Sequence, residues 1–137
     1  MKLRKKEESK IKRVLRACKI ILGNPLLSDR IVAAEAGLKI EEVRKLKTIL
    51  ADLKMRFPNK KETWIIRAGA RSLFVEKISK KHWLVKGFKE LGDYYEAYHV
   101  TKGPDNKYHC SCHTHTYGYV REKKICTHIG AVIAYRA

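Results

Sequence analysis

Glutamine is absent from the 137 residues, proline occurs three times, and tryptophan twice. No apolar run approaches the roughly 20 residues that a membrane-spanning helix needs. The N-terminus is basic but lacks the apolar stretch of a secretory leader. These absences predict a soluble, intracellular protein, cytoplasmic and nucleoid-associated if its source is prokaryotic. Internal repeats and low-complexity segments are also missing. So are a Walker-type phosphate loop, a carboxylate metal site and a nucleophile elbow, which argues against an enzyme and leaves no small-molecule substrate evident.

Acid is the scarcer charge. Lys and Arg number 31 against 14 Asp and Glu, a formal net charge of +17. Heat-adapted proteins also lack Gln and accumulate Lys and Glu, but that habit raises both signs together. Here the positive sign dominates in both halves of the chain. Such a field favours polyanions, and nucleic acid is the expected partner. Hydrophobic residues make up 45%, enough for a real core and against gross disorder.

Met1–Lys6 is a short basic arm. From about Glu7 to Leu22, apolar residues recur at three- and four-residue steps: Ile11, Val14, Leu15, Cys18, Ile21 and Leu22. That spacing predicts a helix, with Cys18 as ordinary core packing. Gly23-Asn24-Pro25 ends it. Ser28 or Asp29 can cap a second helix, Arg30 to Ala36, which Gly37 stops. A third helix is predicted from about Ile40 to Met55, with Val43, Leu46, Ile49, Leu50 and Leu53 inward. Pro58-Asn59 marks a break, dividing residues 1–58 from 59–137.

Beyond that break the pattern reads with a period of two. Thr63–Arg67, Ser72–Ile78, His82–Gly87 and Tyr94–Val100 are expected strands. Gly103-Pro104-Asp105-Asn106 has turn chemistry, so Lys107–Cys110 should pair back as a hairpin. A final helix is expected from about Thr127 to Tyr135, burying Ile129, Val132 and Ile133. The predicted fold class is α+β.

Three of the four cysteines crowd between His109 and His128. Without a secretory leader, and with the fourth cysteine remote, reduced metal ligands fit better than disulfides. The spacing is Cys110-x-Cys112, thirteen residues, then Cys126-x-His128. Side chains two apart on a strand point the same way, so Cys110 and Cys112 can reach one ion. On a regular helix they would diverge by roughly 200°. Cys126 should therefore precede the last helix, with His128 in its first turn. Three thiolates and one imidazole would close a tetrahedral shell around one Zn²⁺, a structural site with no open position for activated water. His113 or His115 can replace His128 in this scheme. His109, on the opposite strand face, suits it less well.

Cys110-Ser111-Cys112, Cys126-Thr127-His128, Ala131 and Val132, with "YYEAYHV" and "KYHCSC" upstream, resemble the SWIM-type zinc finger, a β-β-α unit. The resemblance covers roughly Trp83 to Ala134, with the core of the finger at 94–137. It implies Cys110, Cys112, Cys126 and His128 as the four zinc ligands, and an association with DNA or protein partners. Thr127 stands where that family often carries Lys, so a basic contact is missing there.

"DRIVAAEAGLKIEEVRKLKTIL" has the habit of a helix-turn-helix. Ala33 is small where two helices cross, and Gly37 permits the left-handed turn. The stretch resembles the helix-turn-helix or winged-helix class, which implies Ile40–Leu53 as the recognition helix. Arg44, Lys45, Lys47 and Thr48 then face outward, suited to phosphates or guanine edges. Glu41 and Glu42 oppose that use at the helix start, although they complement its dipole. In the spacer "HTHTYGYVREKK", Tyr117, Tyr119, Arg121, Lys123 and Lys124 interleave aromatics with cations, which suits nucleic acid; a solvated loop covering the metal site is the plainer alternative.

The expected function is a zinc-containing, DNA-binding regulator of transcription or factor in DNA transactions. The alternatives are a protein-interaction adaptor in recombination or repair, its zinc lobe docking a protein and its DNA contact nonspecific, and an RNA-binding module.

Overall fold

The computed structural model describes residues 9–114 and 125–137. Helix α1 spans Lys10–Gly23, α2 Asp29–Ala36 and α3 Ile40–Arg56. Ser28 caps α2, its hydroxyl accepting from the Ile31 N–H at 3.2 Å. Gly37 ends it at φ 75°, where the Gly37 and Leu38 N–H groups both donate to the Ala33 carbonyl. At α3, Lys39 supplies no capping oxygen. Glu42 reaches back instead, accepting from the Lys39 N–H at 2.9 Å, half of a capping box.

The fourth helix, α4, spans Glu62–Ser72 and corrects the strand expected at Thr63–Arg67. Trp64, Ile65 and Ile66 favour strands by propensity, but Ala68, Gly69 and Ala70 let this segment lie close against α3. A Cβ on Gly69 would sit 2.8 Å from Leu50 Cδ2. Tertiary packing overrides the local preference.

The strands β1 (Val75–Ser79), β2 (His82–Lys86), β3 (Ala97–Lys102) and β4 (Tyr108–Cys110) form one sheet in sequential order. Every neighbour pair is antiparallel, with Leu84 opposite His99 and Val100 opposite Cys110. The third strand starts later than its pattern suggests. The Tyr94 and Tyr95 N–H groups donate to the Tyr98 hydroxyl, so those two residues turn instead of extending the ladder. The hairpin into β4 closes as expected, with Asn106 at φ 65° and its N–H on the Gly103 carbonyl.

Short 3-10 turns follow at Lys89–Leu91 and Ser111–Thr114, and α5 spans Thr127–Arg136. The last helix lies between α4 and the sheet. A Cβ on Gly130 would meet Trp64 at 2.7 Å and Ala68 at 3.0 Å. Its other side presents Ile129 and Val132 to the inner sheet face of Trp83, Val85, Tyr98 and Val100. Two apolar clusters result, one among the helices around Val14, Leu46 and Leu50, and a smaller one between sheet and α5. Among the described residues, no helix is long and apolar enough to cross a membrane.

Candidate metal centre

Cys110 is the last residue of β4, on its inward face, and Cys112 lies in the tight turn directly after it. The straight strand expected through Cys112 is thus replaced by a 3-10 turn. Both sulfurs still converge, and the Cys112 N–H points at Cys110 Sγ at 3.4 Å. Cys126 is the N-cap of α5 and His128 lies in its first turn, as the divergence of side chains on a helix requires. One ligand atom from each of Cys110, Cys112, Cys126 and His128 lies within 4.8 Å of the other three. Cys112 Sγ is 3.6 Å from Cys126 Sγ, and Cys126 Sγ is 3.9 Å from His128 Nδ1. Four donors from two separate segments, three of them sulfur, can hold one metal ion.

The imidazole is oriented from behind. Its Nε2 lies 3.3 Å from Asp93 Oδ1, at ion-pair distance although not aligned as a hydrogen bond. Tyr98 stacks on the ring, with centroids 4.0 Å apart and planes 22° from parallel. Asp93 is itself held by Arg71, whose Nη1 and Nη2 donate to the two carboxylate oxygens at 2.5 and 3.1 Å. Arg71 Nε donates to Thr127 Oγ1 at 3.0 Å, and the Phe88 N–H donates to Asp93 at 2.8 Å. The chain Thr127–Arg71–Asp93–His128 therefore ties α4 and the Leu91–Asp93 loop to the start of α5. A carboxylate behind a ligating imidazole fixes its tautomer and raises its basicity.

The electrostatics suit a cation. Burial alone would raise the Asp93 carboxyl, but His128, Arg71 and the Phe88 amide outweigh it and hold it well below the usual range. Burial likewise opposes charge on His128, yet Asp93, Cys112 and Cys126 push it up to about 10. Thiols of Cys110 and Cys112 donate toward Cys126 and hold it far below an ordinary thiol, while those same contacts and burial raise Cys110. The protons of the cluster are thereby shifted away from Cys126 and toward Cys110 and His128. A divalent ion would take the place of those protons.

Asp93 and Arg71 escape sequence reasoning because no spacing links them to the cluster; Tyr98 and Thr127 lie in the quoted stretches "YYEAYHV" and Cys126-Thr127-His128, but spacing assigns them none of these contacts. The one available signal is Arg71, a charged residue on the small, apolar run of α4, where it is only 2% exposed.

The expected nucleic-acid contacts on α3 are placed differently from one another. Arg44 Nε lies 3.1 Å and Lys47 Nζ 2.7 Å from the Asp29 carboxylate. Lys47 also donates to the Leu27 carbonyl, and Thr48 donates back to the Arg44 carbonyl. Lys45 is exposed. At the helix start, Glu42 pairs with Lys10. His115, Tyr117, Tyr119, Arg121, Lys123, Lys124 and the side chain of His113 lie outside the described part of the structure. His109 points away from the cluster, toward Asp105 at 3.4 Å.

Comparison with protein-family models, with curated proteins and with solved structures finds no match to this chain.

Proposed function

We propose that the protein carries one structural Zn²⁺ and binds DNA through its cationic surface, as a SWIM-type zinc module joined to a helix-turn-helix-like unit. The observation that carries this reading is the convergence of Cys110, Cys112, Cys126 and His128. Zn–S bonds of about 2.3 Å set tetrahedral edges near 3.8 Å. The sulfur–sulfur and sulfur–nitrogen separations of 3.6 and 3.9 Å fall on that scale. Three thiolates favour zinc over hard, oxygen-seeking ions. A Cys₃His set closes the shell, so the ion would hold β4 to α5 without activating water.

The charge of +17 supports a polyanionic partner, and DNA is the one that the helix-turn-helix habit of α2 and α3 favours. A role in transcription control or another DNA transaction follows. The adaptor reading, with sequence-independent DNA contact, draws on a specific observation. Arg44, Lys47 and Thr48 each engage groups within the protein, which leaves fewer free donors to read bases from α3. The exposed pair Tyr94 and Tyr95 beside the metal lobe offers such an adaptor a contact for protein.

Native mass spectrometry with elemental analysis tests the metal; one zinc per chain is expected. Filter binding against one selected and one random duplex, over a salt series, tests the rest. Steep salt dependence is expected for both duplexes, with a preference for one under the regulator reading and none under the adaptor reading. No binding to either duplex at low salt would reject DNA as the partner.

A further inference from the structure

Beside the metal centre, two hollows meet on the outer side of α4. One, of about 520 Å³, is bounded by Lys60, Arg67, Gly92, Cys126 and Thr127. The other, of about 530 Å³, is bounded by Asn59, Lys60, Lys61, Thr63 and Thr127. Lys60, Trp64, Arg67 and Thr127 belong to both, so the hollows form one elongated groove and not two separate cups.

The groove is cationic after its internal pairs are taken out. Arg71 is consumed by Asp93 and Thr127, and Asp93 is consumed in turn. Lys60 has no carboxylate partner among the described residues, its contacts being the Ile125 carbonyl at 3.4 Å and the face of Trp64. Lys61 and Arg67 are exposed and enter no ion pair among the described residues. Among the described residues, Glu62 is the acid next in sequence to Lys61, and it borders a different, smaller hollow that Lys60 also lines. Thr127 accepts from Arg71 and lines both hollows, and its hydroxyl donates to no acceptor among the described residues.

Trp64 decides what kind of contact the groove can make. Its Nε1 donates to the Ile125 carbonyl at 3.1 Å, its ring packs on Phe57 with centroids 5.0 Å apart, and Gly130 lies beneath its edge. With Lys60 over its face, the indole is no free platform for stacking a base. What remains is a row of N–H and O–H donors at Lys60, Lys61, Arg67 and Thr127, suited to phosphodiester oxygens.

The geometry points to this groove as a seat for one strand of a duplex DNA backbone, read through its phosphates and not its bases. This assignment rests on the DNA-binding reading above and names a surface for it other than α3. One wall is Cys126-Thr127-His128, so the same ion that closes the metal centre would set the groove's width.

The test compares the full chain with Lys61→Glu/Arg67→Glu, with the conservative Lys61→Arg/Arg67→Lys, and with Lys45→Glu on α3. Zinc content and circular dichroism establish that each variant is folded. Fluorescence anisotropy then follows a random duplex over a salt series, with single-stranded DNA and RNA of equal length as competitors. The groove reversal should weaken binding about tenfold or more and lower the slope of log K against log salt by about 2, since each lost phosphate contact removes about 0.9. The conservative pair should bind as the unaltered chain does, and Lys45→Glu should have the smaller effect. Unaltered binding by a folded groove reversal overturns the groove and leaves the DNA reading intact. A stronger effect from Lys45→Glu also overturns it, in favour of α3. Failure of the unaltered chain to bind DNA, or preference for single-stranded RNA, removes the DNA reading itself, while preference for single-stranded DNA overturns the seat for a duplex.

Discussion

Among single residues, Asp93 bears the most chemistry without being a ligand. It faces the imidazole of the candidate ligand His128 on one side and the Arg71 guanidinium on the other, and both side chains of the Arg71–Asp93 ion pair are nearly fully buried. Asp93→Asn keeps the shape and removes the charge. Metal affinity should fall by about 10- to 100-fold, measured by competition with a chromophoric chelator. Arg71→Met should destabilise by about 3–5 kcal/mol in urea unfolding of the metal-loaded protein, because it leaves a buried carboxylate without its main counter-charge. Acid should act through the same residue. Its folded pKa is lowered relative to the ordinary carboxylate value, so its contribution is full at neutral pH. That contribution fades as pH falls through the ordinary carboxylate range of about 4 and is gone below the lowered folded value. Metal release on acidification runs in the same direction, since protons compete for the thiolates and the imidazole.

At the scale of elements, the crossing of α4 and α5 is set by Gly130 and Ala68. Gly130→Val would force a side chain into Trp64 and Ala68 at 3.0 Å or less, and both neighbours are held by packing of their own. Overpacking of this kind costs about 1–3 kcal/mol, and here it should also weaken metal binding by shifting the start of α5. By contrast, a Cβ on Gly23 at the end of α1 meets nothing within 4 Å and φ is not positive there. Gly23→Ala should therefore be neutral or stabilise by up to about 1 kcal/mol, giving a matched control in the same melting experiment. The two glycines look alike in the sequence. That contrast explains which elements were legible there. The helices α1 to α3 announce themselves by spacing and by Ser28 and Gly37, which are local signals. The Cys–x–Cys and Cys–x–His pairs are local as well, and so the four residues of the candidate metal cluster could be named before any coordinates. Helix α4 was not legible, because Thr-Trp-Ile-Ile favours a strand on its own and turns helical to bury Gly69 against Leu50. Asp93 and Arg71 meet across 22 residues, a distance over which no periodicity carries information.

For the whole molecule, the division of the core decides what a bound metal would do. The helical cluster draws on α1 to α4, joined by Phe88, Leu91 and, from α5, Ala134, and is the larger of the two. The cluster between sheet and α5 is much smaller, and two of its buried members are Cys110 and Cys112 themselves. A lobe of that size would gain a substantial share of its stability from a bound metal. Chelation should therefore act unevenly. Hydrogen exchange should quicken first across β3, β4 and the start of α5, while buried amides of α1 and α3 keep their protection. Trp83, which is 1% exposed beneath α5, should shift its fluorescence to longer wavelength as that lobe loosens, and metal should restore it. The coupling is reciprocal, because α5 also packs on α4 and the Arg71–Asp93 pair bridges the two regions. Excess metal should raise the stability of the lobe by RT ln(1 + [metal]/Kd), and in Asp93→Asn that increment should shrink by RT times the logarithm of the lost affinity. Protection that falls equally in α1 and β4 on chelation would instead mean that the two clusters unfold as one unit, with the ion stabilising the entire chain.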